Sequence, residues 1–441
     1  MAADRRAIWS WAFYDFANSP FTTLVVTFVY ATYFSEAIAA NSVEGQALWG
    51  YAITVTGLIV AICSPALGAL ADQGGYRKRF VVTTTLICAA ATVALYRVLP
   101  GHVAAALVWL VIANVAYEFG TVFYNAYLPD LSTPSDIGRI SGWGWGLGYI
   151  GGLLALLAAL VMFVQPDALL GFLTQLGLGL PDGPWFGFST ENGENIRATN
   201  ILVAVWFLVF SLPLFLFVHD RKRQAPASGS VVGGSFRQLV STFRQVRKHK
   251  ETAKFLLARL VYNDALVTIF AFGGIYAAGT FGFSITDVLI FGIAINLAAG
   301  VGAIAMGYLD DHIGAKRTIV VSLLGLIVAA ILGVFSRDPA WFWVAGIMIG
   351  IFSGPNQAAS RSLMGRYAPE GLENEFFGFF AFSGKLTAFI GPFLLGLVTS
   401  LAESQRVGMV VVIVLFAFGL MLLIPVREPD RDRAVRADTT A

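Results

Sequence analysis

Apolar residues in this chain come in runs of bilayer length rather than in alternation or narrow stripes. Twelve such runs recur, near residues 16–39, 47–71, 80–98, 103–128, 140–163, 198–218, 255–280, 287–309, 318–336, 341–364, 375–400 and 406–426. A helix crosses a hydrocarbon core in about 20 residues, so each run predicts one transmembrane helix. The even count puts both termini on one side. The first run already contains an anomaly. It opens with Asp15 and Asn18, polar groups at or just inside the hydrocarbon boundary. An acid there either faces a protein interior or a wet cavity, or caps the helix N-terminus at the headgroups.

Composition removes the soluble classes. Of 441 residues, 57% are hydrophobic and 13% charged, which fits a polytopic membrane protein. Cys63 and Cys88 both lie within apolar runs, so free thiols are expected and no disulfide. The first run is too long for a cleavable signal peptide and lacks a small-residue cleavage site. Of the 29 Lys and Arg, only Arg97, Arg197, Arg337 and Arg406 fall toward the side opposite the termini, and Arg259 and Lys385 lie within runs. That asymmetry predicts cytoplasmic termini in a cell (inner) membrane.

The charge pattern also divides the chain. Residues 1–218 are expected to form an N-terminal six-helix bundle and residues 255–426 a C-terminal one. Between them, residues 219–254 form a basic cytoplasmic linker, and 427–441 a cytoplasmic tail. Within the linker, Phe236, Leu239, Val240, Phe243 and Val246 recur at helical spacing opposite Arg and Lys. That predicts an amphipathic helix on anionic lipid, as a tether or a docking element. The long external segment 165–197 reads as a connection or a lid.

A spacing repeats between the halves. Gly68-x-Leu-x-Asp72-x-x-Gly75-x-Arg77-Lys78 follows the second run, and Gly307-x-Leu-x-Asp311-x-x-Gly314-x-Lys316-Arg317 follows the eighth. Two half-chains in the same orientation are the parallel-repeat plan of transporters. The glycines allow close helix approach, and Asp72 and Asp311 can face a neighbouring helix N-terminus. The pair therefore predicts a gate, against the plainer reading of ordinary charged loops.

With this motif and twelve runs, nearly the whole chain resembles the major facilitator superfamily. Four stretches resemble its vacuole effluxer-like branch: Tyr14-Asp15-Phe-Ala-Asn18-Ser; Phe123-Tyr-Asn125-Ala-Tyr-Leu-Pro129-Asp130; Ala258-Arg259-Leu-Val-Tyr262-Asn263-Asp264; and Gln357-Ala-Ala-Ser-Arg361-Ser with Phe376-Phe-Gly378 and Ser383-Gly-Lys385. The first loop motif departs from the usual pattern at Gln73 and Tyr76. The resemblance implies an all-α membrane fold of twelve helices in two six-helix pseudo-repeats. It also implies a secondary carrier, with amino-acid export the substrate of its eukaryotic members.

Polar residues inside the runs are the candidate chemistry. Asn114, Tyr117, Glu118 and Asn125 share one helix face, which must look inward. Run 7 carries Arg259, Asn263 and Asp264, run 10 Gln357 and Arg361, and run 11 Lys385. Acids at 15, 118 and 264 balance bases at 259, 361 and 385. This predicts paired charges lining a cavity between the halves, with Glu118 or Asp264 taking and releasing a proton. Arg259 and Lys385 would attract a substrate carboxylate. Structural ion pairs bracing the halves are the plainer alternative. Gly142, Gly146, Gly148 and Gly152 form small-xxx-small pairs that predict close crossing of run 5, with Trp143 and Trp145 as interfacial anchors.

No Cys/His/acid cluster has metal spacing, and Gly384-Lys385 lacks the rest of a phosphate-binding loop. Neither cofactor, nucleotide nor nucleic acid is expected. The expected partners are a small solute, protons and membrane lipid, with the chain a monomer. A gradient-driven carrier of a small polar or zwitterionic metabolite is the leading reading. A lipid or amphipathic-drug exporter comes second, and an embedded enzyme or receptor third.

Overall fold

The structure is a computed structural model, which describes residues 4–165, 171, 183–220 and 249–429. Residues 221–248 of the basic linker, which hold its expected amphipathic helix, the tail beyond 429 and most of the first part of the 165–197 loop lie outside the described residues, whereas 250–254, expected in the linker, already belong to the seventh helix.

Twelve long helices are described: α1 (Arg5–Ile38), α2 (Ser42–Gly74), α3 (Arg77–Tyr96), α4 (Val103–Asn125), α5 (Ile137–Val164), α6 (Glu194–Phe217), α7 (Lys250–Phe281), α8 (Ile285–Ile313), α9 (Ala315–Phe335), α10 (Pro339–Tyr367), α11 (Glu373–Ala402) and α12 (Gln405–Leu423). Eleven are long and apolar enough to cross a membrane on composition alone. The twelfth, α10, has 29 residues but carries Asn356, Gln357 and Arg361 in its second half. Several helices begin before the apolar runs do, α1 by about three turns. Hydropathy marks only the buried apolar length, whereas polar first turns are held by caps. Asp4 accepts from the Arg6 N–H at 2.9 Å, and Ser284 and Asp287 cap each other across the first turn of α8. Gly75, at φ 61°, and Gly314, at φ 98°, end α2 and α8 in a conformation that favours glycine.

Two helices are irregular. Beyond Pro20, α1 widens into turns whose N–H groups reach back five residues, as from Val29 to Leu24 and from Ala39 to Phe34. Proline leaves one carbonyl without its helical partner, and wide turns of this kind gather at functional sites. Helix α11 is broken between Lys385 and Ile390. The Asp264 carboxylate accepts from the Gly391 N–H at 2.8 Å, capping the second half.

The helices of each half-chain pack chiefly on one another: α1 on α5 and α6, α3 on α4 and α6, α7 on α11 and α12, α9 on α10 and α12. Two seams join the halves, α5 on α8 and α2 on α11. Both depend on glycine. A Cβ on Gly68 would stand 2.3 Å from the Asn374 carbonyl oxygen, and one on Gly142 2.5 Å from that of Ala303. Backbone contact at these points holds both seams tight on one side of the molecule.

Candidate functional site

Between the halves lies a cavity of ≈ 1050 Å³. Its deep end is formed by Asp15, Asn125, Trp145, Gln357 and Arg361; its far end reaches the exposed Glu36, Thr190 and Asn192. Asn18 and the widened turns of α1 line one wall, α5 another, and Asn296 of α8 faces in from the second half. The polar far end is the mouth. The described chain ends cluster at the other side, where Arg427 meets Glu251 and Asp220 meets Lys78.

At the cavity floor the halves are tied through one guanidinium. Arg361 donates from Nη1 to Asp15 Oδ2 at 2.8 Å and to Asn125 Oδ1 at 3.2 Å. Its Nε donates to Ser141 Oγ at 2.9 Å and its Nη2 to the Ser141 carbonyl at 2.6 Å. Trp11, Trp145 and Tyr124 surround it. A Cβ on Gly144 would stand 2.6 Å from Asp15 Oδ2, so only glycine fits beside the pair. Trp145, expected as an interfacial anchor, instead lines the cavity; Trp143 stacks on Trp9 at 5.0 Å. Gln357 donates to Tyr149 Oη at 3.3 Å, and Asn18 is buried against the same space.

The charged residues expected around one cavity form two groups. Glu118, Arg259, Asn263, Asp264 and Lys385 do not line the space above Asp15, and Asn114 is buried a turn from Glu118. Lys385 donates to Glu118 at 2.6 Å, a second tie between the halves. Arg259 is not poised for a substrate carboxylate. It donates to the Phe380 carbonyl at 2.6 Å and Ser383 Oγ at 2.8 Å, and covers the Phe380 ring at 3.5 Å. Asn263 donates to the Gly384 carbonyl at 3.1 Å. These side chains brace the first half of α11 against α7. Asp264 differs from the other acids. It is buried, its Oδ1 has no hydrogen-bond partner, and no basic side chain forms a salt bridge with it among the described residues.

On the side away from the mouth the duplicated motif closes the halves. Asp72 accepts from the Glu375 N–H at 2.8 Å and from Asn374 Nδ2 at 2.7 Å, at the first turn of α11. Asp311 accepts from the Gly138 N–H at 2.8 Å and the Arg139 N–H at 3.2 Å, at the first turn of α5. Each carboxylate thus sits on the positive end of a helix in the opposite half. Arg77 joins Asp130 at 2.7 Å and Glu373 at 3.2 Å. In the second half the equivalent cation is Arg366, paired with Asp310 at 2.7 Å and Glu428 at 2.9 Å. Lys316, which the repeated spacing aligns with Arg77, does not take that role, and Arg317 is exposed on α9.

Two further acids repeat this symmetry. Asp220, after α6, accepts from the Lys78 N–H at 3.0 Å and from Tyr127 Oη at 2.5 Å, while Lys78 Nζ reaches the Val218 carbonyl. Glu428, after α12, accepts from the Ala315 and Lys316 N–H groups, while Lys316 Nζ reaches the Ile424 carbonyl. Sequence spacing pairs Lys316 with Arg77, but in space it does the work of Lys78. The pattern Val-x-acid occurs at both places, 218–220 and 426–428, but at an offset of 208 residues rather than the 239 of the loop motif, which is why the spacing did not reveal it.

A family model described as vacuole effluxer Atg22 like matches residues 3–436. The chain belongs to that family. It is 26% identical over 424 residues to a Bacillus subtilis protein described as an uncharacterized MFS-type transporter, YxiO, covering 95% of this chain and 94% of that one. Autophagy-related protein 22 of Coccidioides immitis is 22% identical over 462 residues, covering 87% and 73%. Among solved structures, the transporter FucP in its outward conformation superposes with a TM-score of 0.75 at 13% identity, covering 96% of this chain and 100% of that one. The human organic anion transporter MFSD10 gives 0.72 at 15%, covering 95% and 99%. The fold is that of the major facilitator superfamily, and this family member is a multi-pass membrane transporter, not an enzyme.

Proposed function

We propose that the protein is a secondary active transporter that exports a small polar solute of the amino-acid class by alternating access, coupled to protons. The observation that carries this reading is the combination of a polar-floored cavity open on one side with a duplicated carboxylate-on-helix closure on the other. Such a closure is reversible, because each bond is made between rigid helices that can separate as units. The distribution of basic residues supports a cytoplasmic closed side in a cell membrane, and in that reading the described form faces outward. The family's description as effluxers supports export. A mouth among Glu36, Thr190 and Asn192 favours a solute arriving from water over a lipid arriving sideways.

The proton site follows from charge balance. Asp15 and Glu118 already have Arg361 and Lys385 as partners. Among the described residues Asp264 accepts one side-chain hydrogen bond, from the Gly391 N–H, and forms no salt bridge, and an acid so placed within a span is a candidate proton carrier. It sits beneath the break in α11, where protonation loosens the cap and lets the two halves of that helix move. Liposomes holding the purified protein, a labelled amino-acid pool and an internal pH dye test this. Asp264→Asn is expected to keep solute exchange but lose accumulation driven by a pH gradient. Wild-type accumulation in that variant would remove Asp264 from the mechanism.

A further inference from the structure

We propose that the transported solute carries a protonated amine on an apolar body, and that Asp15 receives its charge. This inference rests on reading the cavity as the transport site. The ionisable lining, among the described residues, is Asp15 and Glu36 against Arg361 alone. Asp15 and Arg361 cancel at the floor, so the net charge of this lining is one negative, carried by Glu36 at the mouth, which favours entry of a cation over an anion.

The single base is also not available to a solute. Arg361 spends hydrogen bonds on Asp15, Asn125 and both Ser141 oxygens, and its side chain is 3% exposed. Asp15 is 14% exposed and faces the cavity with hydrogen-bonding capacity beyond the pair. A carboxylate can accept several donors, so an ammonium group can join the ion pair without first breaking it. A solute carboxylate would have to displace Asp15 from a guanidinium enclosed by aromatic rings.

The walls match the rest of such a solute. Tyr117, Trp145 and Tyr149 line the cavity near the floor and give its lower wall an aromatic surface. Leu153, Leu156 and Ile293 continue the wall as plain hydrocarbon. Occupancy also has a mechanical consequence. An ammonium on Asp15 competes with Arg361 for the same charge, weakening a tie between the halves at the moment the site is filled.

Three ligands of one shape separate the possibilities: phenylethylamine, phenylalanine and 3-phenylpropionate, compared by thermal shift and calorimetry on the full-length protein. Phenylethylamine is expected to bind tightest and 3-phenylpropionate not at all. Asp15→Asn should weaken the amine roughly tenfold or more. Because that variant leaves Arg361 without its acid, Glu36→Gln at the exposed mouth provides a second test. It should weaken the amine several-fold while the melting temperature without ligand stays unchanged. Equal or tighter binding of 3-phenylpropionate, no binding by either amine-bearing ligand, or indifference of both variants to the amine would overturn the proposal. Proton-driven flux of an anionic solute would do so while leaving the transporter reading intact.

Discussion

Asp72→Asn isolates the closure most cleanly, because it removes a charge without changing the side chain's shape. The wild-type carboxylate receives the Glu375 N–H, Asn374 Nδ2 and, at 3.3 Å, the Asn374 N–H, all in a buried setting. A hydrogen bond to a charged acceptor contributes about 1.5–3 kcal/mol. Asparagine keeps one acceptor oxygen but turns a donor toward backbone donors, so one such bond is lost, and the helix-end attraction of about 0.3–1 kcal/mol with it. The closed side should lose about 2–3 kcal/mol, a shift on the order of 100-fold in the ratio of the two forms. A reporter cysteine at Thr121, on the cavity wall, reads that ratio once Cys63 and Cys88 are replaced. Impermeant maleimide should label it quickly from the mouth side in the wild type. In Asp72→Asn, mouth-side labelling should slow and labelling from the other face should appear. Identical labelling in both backgrounds would refute the assignment of Asp72 to the closure.

Other consequences follow from the ion pairs. Arg366→Ala removes from the buried Asp310 the guanidinium that pairs with it at 2.7 Å, and breaking a buried pair of this kind costs about 3–5 kcal/mol. Thermal melting in detergent should show a large loss, and an unshifted melt would contradict the pairing. The Glu118–Lys385 tie is worth less, since the lysine side chain is 35% exposed. A double-mutant cycle through Glu118→Gln and Lys385→Met should return a coupling of about 1 kcal/mol or less, and a much larger value would mean the pair is drier than described.

The membrane spans were legible because a bilayer demands unbroken apolar runs, and the closure because Asp72 and Asp311 share a spacing 239 residues apart. The pairing of charges was not. Asp15 with Arg361 and Glu118 with Lys385 join residues 346 and 267 positions apart, and nothing local fixes which acid meets which base. One balanced set of six charges therefore became two ties, a bracing arginine and a lone acid. Arg366 was hidden because only the fold brings it to Asp310. The break in α11 is followed by Gly391-Pro392, and a proline there has no N–H for the Ala388 carbonyl, so the sequence carried a local signal; Asp264, on another helix, completes it by capping Gly391. Pro20 did signal the widened turns of α1, although proline inside a span is tolerated too often to place a cavity wall alone.

The central claim is that the two half-chains rock about one site, so that one side opens as the other closes. Two distances in the same membrane-embedded molecules test this by pulsed electron resonance. One pair of labels would sit at Tyr76 and Glu370 on the closed side, the other at Glu36 and Ile290 around the mouth, all exposed positions. On replacing both Asp72 and Asp311 by asparagine, the first distance should lengthen and the second shorten together. A longer closed-side distance with an unchanged or wider mouth would mean local fraying, and would contradict the account.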